Sequence, residues 1–141
     1  MAFVFTASVL FILTGFFSQP DSLSFKERNS MARYAVIKQN YEFRRAYSRG
    51  KSFVSPYLIS YCFKKKYGGI KIGITSGKKI GKAVVRNRCR RVIREAFRSV
   101  YPELQGNWDI VFVARTATIY KKSTEIAVIM RKQLREAGLL K

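Results

Sequence analysis

The sequence predicts a single α+β domain, an α/β sandwich built in the order α-β-β-β-α-β-α. A chain of 141 residues with 48% hydrophobic residues is long enough for one domain with a packed core. Short alternating or continuous apolar runs predict strands, and longer segments with apolar residues three and four apart predict helices. A strand, a helix and a strand follow one another over residues 70–114, and such a crossover requires parallel pairing. We place the domain at residues 31–141.

The first predicted helix occupies residues 40–50. Asn40 is a suitable N-cap for it, and Gly50 supplies a C-terminal stop. Three residues share one face of this helix, at positions i, i+3 and i+4: Phe43, Ala46 and Tyr47. Residues 51–55 follow as a first short strand, with weaker alternation than the strands after them.

Two further strands are predicted at Tyr57–Phe63 and Ile70–Thr75, where one face of each carries alternating apolar or aromatic residues. A turn rich in lysine and glycine, residues 64–69, lies between them. We therefore expect these two strands to pair as an antiparallel hairpin.

A long helix, about residues 83–100, comes next and is followed by a continuous apolar run at Asp109–Ala114. Such a run predicts a strand that is covered on both faces or lies centrally in its sheet. The last helix starts at Ser123 or Thr124 and ends at Gly138. Four apolar residues form its buried stripe: Ile126, Ile129, Met130 and Leu134.

The charge of the chain indicates a polyanionic partner. Lys and Arg number 28 against 8 Asp and Glu, which gives a net charge of +20 at pH 7. A field this positive favours nucleic acid or an anionic membrane surface. The chain has no histidine, and its carboxylates are scattered as single residues, so it lacks the usual acid–base and two-metal machinery of a nuclease. Cys62 and Cys89 are interpreted as small buried hydrophobic residues.

The first thirty residues differ in composition from the rest. Residues 1–17 are apolar and uncharged, and this run is shorter than the roughly 20 residues that span a bilayer. Lys26 and Arg28 cancel the two acidic residues before Met31, so the net charge belongs to residues 31–141. We expect residues 1–30 to be a misassigned start or a disordered extension. The competing interpretation is a membrane tether.

The long helix has one apolar and one basic side on a helical wheel. The apolar arc contains Val85, Cys89, Val92, Ile93, Ala96 and Val100, with Phe97 just beside it. The opposite side contains Arg90, Arg91, Arg94 and Arg98 with Asn87, and Arg86 and Arg88 flank the apolar arc. Glu95 alone interrupts the basic side, and arginine suits bidentate contact with phosphate and stacking on unpaired bases. We predict a phosphate-binding helix; the alternative is an ordinary solvated face.

The connection before this helix, residues 77–83, is rich in glycine and lysine but is not a nucleotide-binding loop. A Walker A motif has four residues between its glycines and a Ser or Thr after its Lys. Here three residues separate Gly77 from Gly81, and Ala83 follows Lys82. The lysines of this connection instead add charge near a helix N-terminus, which itself favours anions.

The string KKIGKAVVRNRCRRVIREAF, residues 78–97, resembles the signature of the bacterial ribonuclease P protein family. The resemblance covers about residues 34–137. It implies a cytoplasmic protein that is an enzyme only as a subunit of an endoribonuclease: a catalytic RNA, with Mg²⁺, performs the hydrolysis that removes 5′ leaders from precursor tRNA. We expect no catalytic residue in the protein, no membrane contact and no required protein partner, and we assign no metal ligand to the protein.

The resemblance also assigns residues to two RNA sites. Those that would face the RNA subunit are Lys78, Lys79, Lys82, Arg86, Asn87, Arg88, Arg90, Arg91, Arg94 and Arg98. Those that would line a cleft for the single-stranded leader are Phe43, Tyr47 and Tyr61, with charge from Arg44 and Arg45. Aromatic stacking in a positive groove suits single-stranded RNA; the alternative is that Phe43, Tyr47 and Tyr61 simply pack the core against the sheet. The family fold, ribosomal-protein-S5-domain-2-like, has a left-handed crossover into the arginine helix, against the general rule.

Three other functions remain open at this stage. A general or ribosomal RNA-binding protein without a processing role would share the basic composition. Only the signature at residues 78–97 distinguishes such a protein from a member of the ribonuclease P protein family. A membrane-surface protein would use the apolar N-terminal run as an anchor. An autonomous protein nuclease is disfavoured by the absence of histidine and of clustered carboxylates.

Overall fold

The structure is a computed structural model, and it describes residues 34–140. The α-helices and strands of this part follow one another as β1 (Ala35–Val36), α1 (Asn40–Arg49), β2 (Lys51–Val54), β3 (Leu58–Lys64), β4 (Ile70–Ser76), α2 (Ala83–Val100), β5 (Trp108–Ala114) and α3 (Ser123–Glu136). The predictions for residues 1–30 lie outside the described residues. Within residues 34–140, no helix combines the length and apolar character needed to cross a bilayer.

The strands form one mixed sheet in the order β1-β4-β5-β3-β2. β4 and β5 are parallel and α2 connects them, which confirms the predicted parallel crossover. β5 is central, as its continuous apolar run indicates, and all but one of its residues are buried. The mixed α+β class is therefore confirmed, while the hand of the crossover stays a prediction.

The predicted hairpin of β3 and β4 is wrong. β5 lies between them, antiparallel to β3 and parallel to β4. A strand as apolar as β5 buries most surface when it has a neighbour on both edges, and the turn after Lys64 is long enough to cross the two strand spacings, about 10 Å, that this requires. The antiparallel partner of β3 on its other side is β2.

The sequence did not predict β1, which precedes α1 and pairs with β4 at the edge of the sheet. It has two residues, both exposed, so no alternation could reveal it. The start of α1 also differs slightly from the prediction: Asn40 is the first helical residue, Gln39 occupies the N-cap position, and no side chain caps the helix.

The helices cover both faces of the sheet. α2 and α3 pack on one face and enclose the main core, to which β5 contributes Ile110 and Phe112. α1 packs on the other face over a smaller core that contains Ala46 and Val111. Because side chains alternate along a strand, β5 supplies the supporting residues of both faces.

Candidate nucleic-acid interface

The long helix α2 is anchored to the core as the wheel predicts. Four residues of its apolar arc are buried, together with Phe97 beside the arc: Cys89, Ile93, Ala96 and Val100. Val85 and Val92 are half-buried and pack against the same core. The orientation of the helix is thus fixed by burial, and its basic side is directed away from the sheet.

Some arginines on the basic side of α2 make hydrogen bonds or ion pairs within the protein, and others are exposed without an ion-pair partner in the described part of the chain. Arg90 donates from Nε to the hydroxyl of Ser76, 2.8 Å away, and Arg98 lies 3.4 Å from the carboxylate of Glu95. Arg86, Arg90 and Arg98 are half-buried, whereas Asn87, Arg88, Arg91 and Arg94 are exposed. Among residues 34–140, Arg88, Arg91 and Arg94 have no carboxylate within ion-pair distance. These three guanidinium groups can therefore bind an external anion without breaking a described ion pair.

The predicted lysines cluster at the N-terminal end of α2. Lys78 and Lys79 are exposed on a 3₁₀ turn, Lys78–Ile80, which buried Ile80 attaches to the core. Lys82 is exposed at the N-cap position of α2, and the first helical turn has no acidic residue. The lysine charges therefore add to the positive end of the helix dipole, a combination that favours phosphate.

The aromatic residues assigned to the cleft come together between α1 and the sheet. The rings of Tyr47 on α1 and Tyr61 on β3 meet edge to face, with centroids 4.9 Å apart and an interplanar angle of 89°. The Tyr47 hydroxyl lies 3.3 Å from that of Thr75 on β4. Tyr47 is 41% exposed, while Tyr61 and Phe43 are half-buried. Phe43 and Tyr61 pack against the smaller core and are partly exposed, so part of each ring belongs to the core.

An apolar strip of the sheet continues beyond Tyr47 on the same face. The strand register places Thr75 beside Val113, Val113 beside Ile59, and Ile59 beside Val54. Val54 is 66% exposed, and the other three are half-buried. The aromatic pair thus stands at the border of an open, largely apolar floor, which sequence reasoning missed because it had paired β3 with β4.

The two arginines assigned to the cleft differ in their surroundings. Arg44 is exposed, whereas Arg45 forms an ion pair with Asp109 of β5 and lies over the ring of Phe63, 5.1 Å from its centroid. The Asp109 side chain is completely buried and also pairs with Lys65, at 2.7 Å. Sequence reasoning missed Asp109. The available signal was a lone carboxylate in an otherwise apolar strand.

A second ion pair joins α1 to the sheet. The carboxylate of buried Glu42 accepts a hydrogen bond of 2.6 Å from Lys71 Nζ on β4. This bond holds the pKa of Glu42 below its usual value and raises the pKa of Lys71. Among the described residues, no group of three or more Cys, Asp or Glu side chains is arranged to hold a metal ion.

Comparison with known proteins identifies the family. The family model described as Ribonuclease P matches residues 31–138. The chain belongs to this family. The ribonuclease P protein component of Clostridium kluyveri is 41% identical over 107 residues, which are 74% of this chain and 96% of that relative. The corresponding component of Clostridium beijerinckii is 38% identical over 110 residues, 73% of this chain and 88% of the relative.

Solved structures of the ribonuclease P family share the fold. The RNase P protein of Staphylococcus aureus superimposes with a TM-score of 0.66 at 29% identity, over 75% of this chain and 97% of that one. The RNase P protein of Thermotoga maritima superimposes with a TM-score of 0.62 at 23% identity, over 70% of this chain and 94% of that one. The second comparison supports the fold alone.

Proposed function

We propose that this member of the ribonuclease P family binds the catalytic RNA through α2 and holds the 5′ leader of precursor tRNA in the cleft beside α1. In this proposal the protein assists endonucleolytic removal of the leader, which produces the mature 5′ end of the tRNA. A general RNA-binding role without processing is not favoured, because the family match extends over most of the described chain.

The observation that supports RNA docking most directly is the exposed arginine row of α2. Arg88, Arg91 and Arg94 lie on a helix whose opposite side is locked in the core, so their positions are fixed relative to the domain. Like charges this close repel one another, and within residues 34–140 no carboxylate compensates them. A phosphate backbone along the helix would relieve that repulsion and release counterions.

The cleft suits a single strand better than a duplex. Tyr47 presents an exposed aromatic surface, and Tyr61 supports it from the sheet. Unpaired bases stack on such rings with little regard to sequence, and exposed Arg44 lies on the same helix to contact phosphate. The leader is a single-stranded segment that precursor tRNA has and mature tRNA lacks, and it is the segment we assign to this cleft.

We assign the hydrolysis and its Mg²⁺ ions to the RNA subunit. The described residues offer neither a histidine nor a carboxylate cluster for this chemistry. The contribution of the protein is to screen the repulsion between two RNAs and to raise the affinity for precursor tRNA. No side chain of the protein is assigned a catalytic role, and we expect a cytoplasmic ribonucleoprotein.

Reconstitution tests the proposal. The chain should stimulate 5′ cleavage of precursor tRNA by a bacterial ribonuclease P RNA with Mg²⁺, and the protein alone should not cleave. Tyr61→Ala should weaken the binding of precursor tRNA to the reconstituted enzyme and spare mature tRNA, because only the precursor has a leader. Tyr67→Ala is the matched control, since Tyr67 is 81% exposed in the turn after β3. Equal loss for both tRNAs in Tyr61→Ala would contradict the leader assignment.

A further inference from the structure

A partly buried charge pattern lies beneath α1 and includes Arg45, which the family resemblance assigns to the leader cleft. Asp109 on β5 has a completely buried side chain and pairs with Arg45 of α1 and with Lys65, just after β3. Lys71 on β4 pairs with Glu42 of α1 at 2.6 Å. An ionised carboxylate is retained inside a protein when cations compensate it, and Asp109 has two such cations, Arg45 and Lys65. Only Arg45 belongs to α1, so its ion pair is the one that ties the helix to Asp109.

The four charges of the two pairs form an alternating square. Lys71 and Asp109 are register partners on the neighbouring strands β4 and β5, so their opposite charges lie side by side. Glu42 and Arg45 are three residues apart on α1 and therefore share one face of the helix. Each helix residue thus stands over the sheet residue of opposite charge.

This alternation specifies one placement of α1. A shift of the helix that moved Arg45 toward Lys71, or Glu42 toward Asp109, would bring like charges together in a partly buried site. The apolar contacts of α1, with the Phe43 ring against the backbone of Gly73 and with Ala46 in the smaller core, fix how closely the helix approaches the sheet. The charges therefore add a penalty for like-charge contacts to this packing, and so help to specify the register of the helix on the sheet.

The register of α1 sets the distance between the two tyrosines. Tyr47 follows Arg45 by two residues, and its ring meets Tyr61 at 4.9 Å. We propose that Asp109 is a positioning residue that holds α1, through Arg45, where Tyr47 and Tyr61 form the leader cleft. This inference rests on the proposed leader-binding function, but its structural part can be tested without RNA.

The proposal and simple electrostatics predict opposite results for Asp109→Asn. The substitution makes the protein more positive by one charge and frees Arg45, so charge alone would tighten the binding of an anionic leader. A loosened helix would instead weaken leader binding. The ratio of precursor-tRNA to mature-tRNA affinity, measured on the reconstituted holoenzyme, isolates the effect on the leader.

We expect Asp109→Asn to lower this ratio by roughly 2- to 30-fold, the range of effects transmitted through packed contacts. Glu125→Gln is the matched control: it removes an exposed carboxylate of α3 that pairs with Lys121, just before that helix, and it should leave the ratio unchanged. Arg45→Gln should lower the ratio about as much as Asp109→Asn, and the double variant should be no worse than either one. An unchanged or raised ratio in Asp109→Asn, or additive losses, would overturn the positioning role.

The salt dependence separates positioning by Arg45 from direct contact with the leader. If Arg45 bound a leader phosphate itself, Arg45→Gln would reduce the slope of log affinity against log salt by about 0.7. A positioning role leaves the slope unchanged while the affinity falls. A reduced slope would therefore contradict the inference and place Arg45 in the cleft.

A measurement without RNA completes the test. In the NMR spectrum of the free protein, the nuclear Overhauser effects between the rings of Tyr47 and Tyr61 should weaken in Asp109→Asn and persist in Glu125→Gln. If Tyr61→Ala leaves the ratio of precursor-tRNA to mature-tRNA affinity unchanged, the proposed leader-binding function is wrong. The contacts between the rings of Tyr47 and Tyr61 would still test whether Asp109 positions α1. If Asp109→Asn does not fold, Arg45→Lys and Arg45→Gln replace it: the ring contacts should persist in the first and weaken in the second. Unchanged ring contacts in Arg45→Gln would overturn the claim.

Discussion

The ring of Phe43 on α1 lies directly against the backbone of Gly73 on β4. A β-carbon at Gly73 would stand 2.5 Å from Cε1 of that ring and 2.9 Å from Cζ. The phenyl ring therefore occupies the space that a side chain would take, and this close approach sets how near α1 can lie to the sheet. Gly73 has ordinary strand geometry, so the requirement for glycine here is one of space.

Gly73→Ala should displace Phe43 and lift the N-terminal half of α1. We expect the free energy of unfolding to fall by about 1–3 kcal/mol, as for other overpacked sites. Urea denaturation measures this. Adding Phe43→Leu should restore part of the lost stability, because the smaller side chain leaves room for the methyl group; no recovery in the double variant would contradict the steric explanation.

Arg91→Gln with Arg94→Gln should weaken binding to the ribonuclease P RNA. If each arginine contacts one phosphate, the slope of log affinity against log salt should fall by roughly 1.4–1.8 in total. A filter-binding titration at several salt concentrations measures the slope. The control is Lys132→Gln with Arg135→Gln, which removes the same charge from exposed positions on α3; an equal effect there would mean that net charge, rather than α2, determines binding.

Glu42→Gln should lower stability at neutral pH by about 1 kcal/mol, a modest value because Lys71 is partly solvated. The pKa of Glu42 is lowered in the folded protein, chiefly by its hydrogen bond with Lys71. The ionised Glu42 carboxylate therefore contributes its full stabilisation above the ordinary pKa of 4.5. This contribution is lost as the pH falls through the lower pKa that Glu42 has in the folded protein. The difference between the two proteins should shrink on acidification, which urea titrations across this range would show; a constant difference would exclude the linkage.

Cys62 and Cys89 should be inert in the folded protein. Both are buried in the main core, and burial raises the pKa of Cys62 to about 12 and raises that of Cys89 as well. Thiolates are the reactive form, so iodoacetamide should modify neither residue at neutral pH until the protein unfolds. Mass spectrometry of the native and the urea-unfolded protein tests this, and rapid labelling of either cysteine in the native state would contradict the burial.

The elements with strong local patterns were predictable from the sequence, and the pairings of the sheet were only partly so. The apolar stripes of α2 and α3 follow from helical periodicity, and the central place of β5 follows from its apolar run. The insertion of β5 between β3 and β4 depends on contacts between residues far apart in the chain, which local patterns do not encode. For the same reason β1, whose two residues are exposed at an edge, could not be recognised.

The candidate site shows the same division. The exposed arginines of α2 could be read from the wheel, and Phe43, Tyr47 and Tyr61 came from the family resemblance. Asp109 and Gly73 were missed because their roles arise only where α1 crosses the sheet. The ion pair of Arg45 with Asp109 likewise depends on tertiary contacts, which local sequence patterns do not encode.

The central place of β5 has a consequence for how the molecule is made. β5 is the last strand of the described sheet to leave the ribosome, yet β3 and β4 both pair with it and not with each other. Before β5 is synthesised, the edges of β3 and β4 that pair with it have no partner, and both strands are rich in apolar residues. Pairings between segments far apart in the chain form slowly. A nascent chain that stops before residue 108 therefore lacks the strand that supports both α1 and α2, and we expect it to hold neither helix in its native position.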